Sequence, residues 1–412
     1  MECRPWFRAV LTALAVTGCV AGARADEPAK PPADSARPEV GKPIQAAKEL
    51  IQAKKYKDAL VKLHEADAVP NLNPYEKFIL DLMRGSAAQG AGENDTAISS
   101  FESVVATGRL QGADQQRLEA AIAELHYQGK DYAKAITWAT RYEKEGGTEP
   151  AIHQTLVQAE YLGGDYTAAA RELKAEIETD EKEGRTPGED RLTFLISCYL
   201  KMNDNAGYAA VLEKLVAYYP KKTYWADLIY RMQKRVADRL TLDLYRIQLA
   251  TGNLSKPTEY MEMAELALQA GFPVEAKKVV DQAYVGGIFG KGADAERQNR
   301  LRDLANKEAA QDVASMSKND ADIVGAKDGD ALVAVGYNLV LNGQVERGLS
   351  LMEQGLHKTP LKRPDDAKLH LGMAYVQTGQ KAKAVQVLET VQGKDGTAEL
   401  ARLWLLHVGK TA

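Results

Sequence analysis

The sequence has few of the features that mark an enzyme or a disulfide-linked domain. Only three of its 412 residues are cysteine, too few for a disulfide framework. It contains no P-loop, no G-x-S-x-G elbow and no H-E-x-x-H zinc motif, and its six histidines are scattered. The net charge of −4 gives no reason to expect nucleic acid as a partner. We therefore expect no catalytic activity, no cofactor and no metal site.

Long apolar runs are also scarce, and the one near the start predicts an export signal. Arg4 and Arg8 precede an apolar run, and residues 23–25 form an A-x-A cleavage pattern. This arrangement is typical of a secretory signal peptide over residues 1–25 and predicts a periplasmic protein. Alternatively, Cys19 ends a Val-Thr-Gly-Cys sequence that resembles a bacterial lipobox. Lipidation there would give a membrane-anchored lipoprotein, and we expect membrane contact only in that case.

Residues 26–42 offer little apolar surface to bury. They are rich in proline, alanine and charged residues, a composition that predicts a disordered tether. After cleavage at residue 25, Cys198 is the one cysteine left in the sequence. It lies in the apolar, helical stretch of residues 195–200, which predicts a buried structural thiol rather than a nucleophile.

What the chain does contain is an internal repeat near its C-terminus. Small residues recur 36 positions apart, and a fixed period of about 30 to 50 residues is the signature of a stacked-repeat protein. Each repeat in such a protein only has to cover the apolar faces of its neighbours. The matching residues are Gly336 and Gly372, Gly343 and Gly379, and Gly348 and Ala384.

Within each repeat, two small residues lie twelve positions apart. This spacing places one on a first helix and the other on the antiparallel helix that follows, where the two backbones can approach closely. A glycine such as Gly343 or Gly379 lies between them, where the chain reverses and needs a positive φ. Leu371, Tyr375 and Leu388 fall at helical spacing and supply the apolar stripe. Further pairs are Ala47 and Ala59, Gly85 and Ala97, Ala123 and Ala135, Val157 and Ala169, and Ala264 and Ala276.

This unit resembles the tetratricopeptide repeat (TPR). The family pattern is a small residue, an aromatic, a glycine turn, an alanine and a closing proline over about 34 residues. The leading tryptophan of the pattern is missing from every unit here, and several units lack a closing proline such as Pro360. The resemblance implies an all-α fold, an α-α superhelix of antiparallel helix pairs, with roughly seven to nine units. An ordinary helical bundle is the alternative.

Irregular stretches divide the predicted solenoid. We expect a first block over residues 43–285, a connecting segment over 286–328, a second block over 329–393 and a capping helix over 394–412. The glycine-rich stretch at the start of the connecting segment, residues 286–292, predicts a flexible break, and its charged remainder predicts an exposed helix. Trp404 would let the capping helix cover the last apolar face.

In TPR folds the first helix of each unit lines a partner-binding groove, and the resemblance places eight residues there. Their side chains are mostly apolar or aromatic, which suits an amphipathic helix or an extended peptide. Alternatively, they pack against neighbouring helices. The eight residues are Tyr127, Tyr161, Val333, Tyr337, Val340, Leu369, Met373 and Val376.

These inferences together predict a non-catalytic, exported scaffold that binds a protein or peptide partner in a bacterial cell envelope. The chain is also similar to envelope TPR proteins found alongside energy-transducing TonB-type systems, which implies an accessory role in such a system. Two alternatives stay open. One is an α-solenoid that binds or acts on peptidoglycan, and the other is an outer-membrane lipoprotein assembly factor anchored through Cys19.

Overall fold

The computed structural model describes residues 35–316, 328–358 and 361–409. The all-α prediction is confirmed, because these residues form twenty α-helices and one short 3-10 helix and none of them lies in a strand. The predicted export signal, Cys19 and Pro360 lie outside the described residues.

The chain divides into two compact units, residues 1–175 and residues 176–412. This division does not test the predicted block limits, which stay predictions. The helices that begin in the first unit are α1 (Pro38–Gln52), α2 (Tyr56–Asp67), α3 (Pro74–Ala91), α4 (Asn94–Ala106), α5 (Ala113–Gln128), α6 (Tyr132–Lys144), α7 (Pro150–Gly163) and α8 (Tyr166–Lys182).

The second unit contains twelve further α-helices among its described residues. They are α9 (Glu189–Met202), α10 (Asn205–Tyr218), α11 (Lys222–Gln233), α12 (Thr241–Ala250), α13 (Pro257–Gln269), α14 (Pro273–Val285), α15 (Ala295–Met316), α16 (Gly329–Leu341), α17 (Val345–His357), α18 (Pro364–Gln377), α19 (Lys381–Leu388) and α20 (Thr397–His407). The 3-10 helix Asp238–Leu240 precedes α12.

Consecutive helices pack as the pairs that the sequence predicts. α1 packs on α2, α3 on α4, α5 on α6, and α16 on α17, and the small residues spaced twelve apart lie in these interfaces. Ala47 and Ala59 are both fully buried, for example, on α1 and α2. Gly343 and Gly379 follow the first helices α16 and α18 with φ of +85° and +77°. The predicted helix pair with a glycine reversal is therefore confirmed.

First helices of successive pairs also touch one another. α1 contacts α3, α5 contacts α7, and α16 contacts α18. Each such contact places the first helices side by side in one layer within their own unit. The residues of this layer that point away from the second helices are the ones that a partner can reach.

The first helix begins earlier than the sequence predicts. α1 starts at Pro38, so the tether prediction is wrong for residues 38–42, and the part of the tether before residue 35 lies outside the described residues. Two interactions fix this start. Val40 is fully buried, and Arg37 Nη2 lies 2.8 Å from an oxygen of the buried Glu76 carboxylate. That ion pair, led by its hydrogen bond, lowers the pKa of Glu76 to about 2.

The predicted flexible break at residues 286–292 is a packed turn. Phe289 is buried and meets the rings of Tyr260 and Tyr284 edge-on, with centroids 6.2 and 5.5 Å away. The Gly290 N–H donates a hydrogen bond of 2.8 Å to Gln298 on the following helix. The prediction was wrong because one aromatic side chain anchors the glycine-rich turn.

The helix after this turn, α15, is not merely an exposed connector. It contacts both α13 and α14, as the first helix of a next repeat would. Leu301, Ala305 and Ala309 form its buried stripe at helical spacing. The many charged residues of this helix lie outside the buried stripe, which is why the sequence predicted an exposed helix.

The C-terminal helices of the second unit pack against helices that lie far back in the sequence. α20 covers α18 and α19, as the capping prediction requires, but it also contacts α10 and α12. Arg239 donates two hydrogen bonds of 2.9 Å to Asp366, and a third of 2.6 Å to Asp395. Along the chain these partners are 127 and 156 positions apart. We call this set of contacts the return contact.

Candidate functional site

The accessible part of the helix layer in the first unit lies on α5 and α7. Tyr127 and Tyr161 occupy the same place in two successive repeats and are half-buried. The Tyr127 hydroxyl donates a hydrogen bond of 2.8 Å to Gln158 Oε1 on α7. Gln154 precedes Gln158 by one helical turn and is exposed. We call the surface formed by Tyr127, Gln154, Gln158 and Tyr161 the α5–α7 face.

Each tyrosine of this face is held by a second tyrosine at the start of the following helix. The ring centroids of Tyr127 and Tyr132 are 5.9 Å apart, and those of Tyr161 and Tyr166 are 5.3 Å apart. Burial raises the pKa of Tyr127, and Tyr132 raises it further, so the phenol keeps its proton at neutral pH. The pairs present rigid aromatic surface with a hydrogen-bonding tip.

A buried carboxyl group lies beside this face. Glu160 is only 5% exposed, and its Oε2 has no hydrogen-bond partner among the described residues. Burial, followed by the nearby charge of Glu172, raises the pKa of Glu160 to about 7, although Arg171 opposes the shift. An ionised carboxylate is costly in such a place, so the group is partly protonated near neutral pH.

Most of the predicted groove residues lie in the second unit, and their side chains are in the core. Tyr337, Leu369 and Met373 are fully buried, and Val333 and Val340 are at most 7% exposed. These five residues therefore pack inside the protein, as the alternative interpretation of the sequence predicted. Of the eight predicted residues, Tyr127, Tyr161 and Val376 are half-buried. Partner binding by those three stays a prediction.

A buried ionic cluster, which sequence reasoning missed, surrounds Tyr337. The Arg246 side chain is 3% exposed and donates hydrogen bonds to Asp243 at 2.6 Å and to Glu275 at 2.8 and 2.6 Å. Its guanidinium lies 4.8 Å from the centroid of the Tyr337 ring. His370 Nε2 lies 3.1 Å from both carboxylate oxygens of Asp243. The cluster thus joins α12, α14, α16 and α18 where a groove was predicted.

A local signal for this cluster exists in the sequence. Asp243 and Arg246 are three positions apart, and Leu242, Leu244 and Ile247 surround them. Charged residues inside such an apolar helix are expected to pair with each other, because an unpaired buried charge is unfavourable. Cys198, by contrast, is fully buried as predicted.

Tetratricopeptide repeat models match three segments of the chain. One model matches residues 82–150, and a second matches residues 195–222 and 366–395. The chain contains tetratricopeptide repeats. The first segment includes α5 and Tyr127, and the last includes α18 and α19. The predicted repeat type is therefore confirmed, and neither of these matching models describes an enzyme.

Solved structures of other repeat proteins show low similarity. The TPR2AB-domain:pHSP90 complex of yeast Sti1 is 18% identical, with 65% of this chain and 98% of that chain covered, at a TM-score of 0.30. The P58(IPK) TPR domain is 16% identical, with 88% and 98% covered, at 0.24. Yeast Tom70 is 12% identical, with 88% and 94% covered, at 0.24. At these TM-scores, nothing about the partner of this chain follows from the similarity. A comparison with curated proteins gives no match.

The described part of the chain contains neither a group of metal ligands nor a membrane-spanning helix. Within residues 35–316, 328–358 and 361–409, no three His, Cys, Asp or Glu side chains are grouped so that they could hold a metal ion. In the same ranges, no helix combines the length and the apolar character needed to cross a membrane.

Proposed function

We propose that this protein is an exported, non-catalytic scaffold of a bacterial cell envelope that binds a protein partner on its α5–α7 face. One observation carries the proposal. Tyr127 and Tyr161 of the first unit are half-buried beside the exposed Gln154. In the C-terminal repeats, five of the six predicted groove residues are buried, and only Val376 is half-buried. Helical solenoids usually bind other proteins, because they present an extended surface rather than a catalytic pocket.

The chemistry of the face suits an extended peptide. A glutamine side chain offers an acceptor and two donors, so Gln154 and Gln158 can match the N–H and C=O groups of a peptide backbone. Tyr127 and Tyr161 add apolar area at little cost in side-chain entropy, as tyrosine does in many binding surfaces. The face carries no lysine or arginine among its four residues, so it does not select a free C-terminal carboxylate.

The test is in-cell crosslinking followed by affinity capture and mass spectrometry. A Tyr127→Ala, Tyr161→Ala variant should lose a specific protein that the wild type captures. Tyr230→Ala is the matched control, because Tyr230 is 63% exposed but lies in the other unit. Circular dichroism must first show that each variant is folded. A partner retained equally by the double variant would reject the face.

Export and the link to a TonB-type system need separate experiments. Export is supported by the signal-like residues 1–25, and fractionation should recover the processed chain from the periplasm. A Cys19→Ala variant that leaves membranes would instead support lipidation. A deletion strain should show impaired TonB-dependent uptake, and normal uptake would reject that accessory role while leaving the scaffold proposal intact.

A further inference from the structure

A polar cleft lies between α3 and α4 of the first unit. Its volume is about 410 Å³, and it is widely open to solvent. No lining residue is apolar, and none belongs to the α5–α7 face. The lining residues are Asp81, Arg84, Asp95, Thr96, Ser99, Ser100 and Ser103.

The charges around the cleft do not balance. Arg84 forms ion pairs with two carboxylates, those of Asp67 and Asp81. Its single positive charge cannot neutralise both of them. Burial raises the pKa of Asp81; Arg84 and, to a smaller extent, Lys77 oppose this shift, and Asp67 adds to it. Asp95 has no ion pair and no hydrogen bond to its carboxylate among the described residues, and it is exposed to the cleft. The cleft therefore carries net negative charge.

A serine hydroxyl at this place also has no partner within the described chain. Ser100 is only 4% exposed, it lines the cleft, and its hydroxyl makes no hydrogen bond within the described chain. Because this hydroxyl opens on the cleft, it can accept a hydrogen bond from a ligand there. The Ser99 hydroxyl donates to the Thr96 carbonyl at 3.2 Å, and its lone pairs remain able to accept.

We infer that this cleft binds the side-chain ammonium group of a lysine on a protein partner. The inference rests on the proposed scaffold function. An ammonium group has three N–H donors and no acceptor. The Asp95 carboxylate and the hydroxyls of Ser99 and Ser100 are acceptors that can meet those donors, and the negative charge stabilises the cation. The cleft is too polar for an apolar anchor, and its one arginine is already occupied by carboxylates.

Ligand-observed saturation-transfer NMR on the full chain tests the inference. The probe is the capped peptide acetyl-Gly-Gly-Lys-Gly-Gly-amide, and the matched neutral probe carries an Nε-acetylated lysine. We expect the first peptide to bind and the second to give no signal. An Asp95→Asn variant should bind the first peptide about tenfold more weakly, as expected for loss of one charge-assisted hydrogen bond. Ser100→Ala should also weaken binding.

Asp58→Asn is the matched control variant. Asp58 lies in the first turn of α2 as Asp95 does in α4, and both are exposed. This variant should bind like the wild type. Equal weakening by Asp58→Asn, or equal binding of the acetylated peptide, would overturn the inference. Binding of n-butylamine as tight as that of the peptide would assign the cleft to a free amine and also overturn it.

Partner capture separates the two proposals. Loss of the captured partner in Asp95→Asn, with retention in Asp58→Asn, supports lysine docking in the cleft. If Asp95→Asn still captures the partner while the tyrosine variant does not, the scaffold function stands and the lysine-docking inference fails.

Discussion

Gly336 and Gly348 face each other across α16 and α17. A Cβ atom on Gly336 would lie 2.6 Å from the carbonyl oxygen of Gly348, and one on Gly348 would lie 2.5 Å from the carbonyl oxygen of Gly336. Both distances are too short for real carbon–oxygen contacts. The two backbones therefore touch, and glycine is required on both sides.

The first prediction is that Gly336→Ala destabilises the protein by about 1–3 kcal/mol, because backbone has to move to admit the methyl group. Denaturant unfolding measures this change. Gly41→Ala is the control, since a Cβ at that helical position meets nothing within 4 Å. It should be neutral or slightly stabilising, because alanine favours a helix. A loss no larger in Gly336→Ala than in Gly41→Ala would contradict the prediction.

The second prediction concerns the buried cluster around Arg246. Arg246→Met should cost about 3–5 kcal/mol, because it leaves Glu275 buried without a cation and Asp243 with only His370 beside it. The comparison is Asp281→Ala, which breaks the half-exposed pair of Lys277 and Asp281 on α14 and should cost at most about 1 kcal/mol. Denaturant unfolding of both variants measures the two losses of stability. If Arg246→Met cost as little stability as Asp281→Ala, the prediction would be wrong, and the cluster would be accessible to water.

The third prediction is a pH dependence that originates at Glu160. Its pKa is raised from 4.5 to about 7, so the folded state holds this proton more tightly than the unfolded state. The stability that it contributes is present below pH 4.5 and is lost as the pH rises towards 7. Glu160→Gln cannot ionise, and its melting temperature should exceed that of the wild type more at pH 8 than at pH 4.5. The same difference at both pH values would contradict this assignment.

The fourth prediction tests the return contact. Arg239→Ala removes three hydrogen bonds to Asp366 and Asp395 and should release the packing of α18–α20 on the earlier helices. Hydrogen exchange should rise in α20 and in α12, which touch in the structure. Arg171→Ala, on an exposed arginine of the first unit, is the control and should leave both helices protected. Unchanged exchange in α20 would show that apolar packing and the ion pair of Arg402 with Glu213 hold the contact without Arg239.

Local features of this fold were predictable from the sequence. The spacing of Gly336 and Gly348 predicted a helix pair, and Gly343 predicted the chain reversal between the two helices. Both features depend only on residues within one repeat. Charged composition misled at α15, since the stripe of Leu301, Ala305 and Ala309 occupies only one face. This apolar stripe can be read from the sequence. The many charged residues around it nevertheless led to the prediction of an exposed connecting helix instead of a repeat helix.

The site was less predictable. Repeat alignment makes Tyr127 equivalent to Val340 and puts Tyr337 on the same predicted groove, but it does not say what packs on any of them. Tyr337 is enclosed by Arg246 and Phe272, which come from helices or turns many residues earlier. Tyr127 has no such cover and stays half-buried. Whether a repeat face is open depends on contacts between distant parts of the chain, and a local period carries no information about them.

The return contact also determines the order in which the second unit can fold. An open repeat array can nucleate anywhere and grow by adding neighbours. Here Arg239 meets Asp366 and Asp395, and Asp243 meets His370, only when residues 127 and 156 positions later have been made. Contacts of such long sequence separation slow folding, because the intervening chain must be ordered first. During synthesis, the Arg239 side chain therefore lacks these partners until the last helices have left the ribosome.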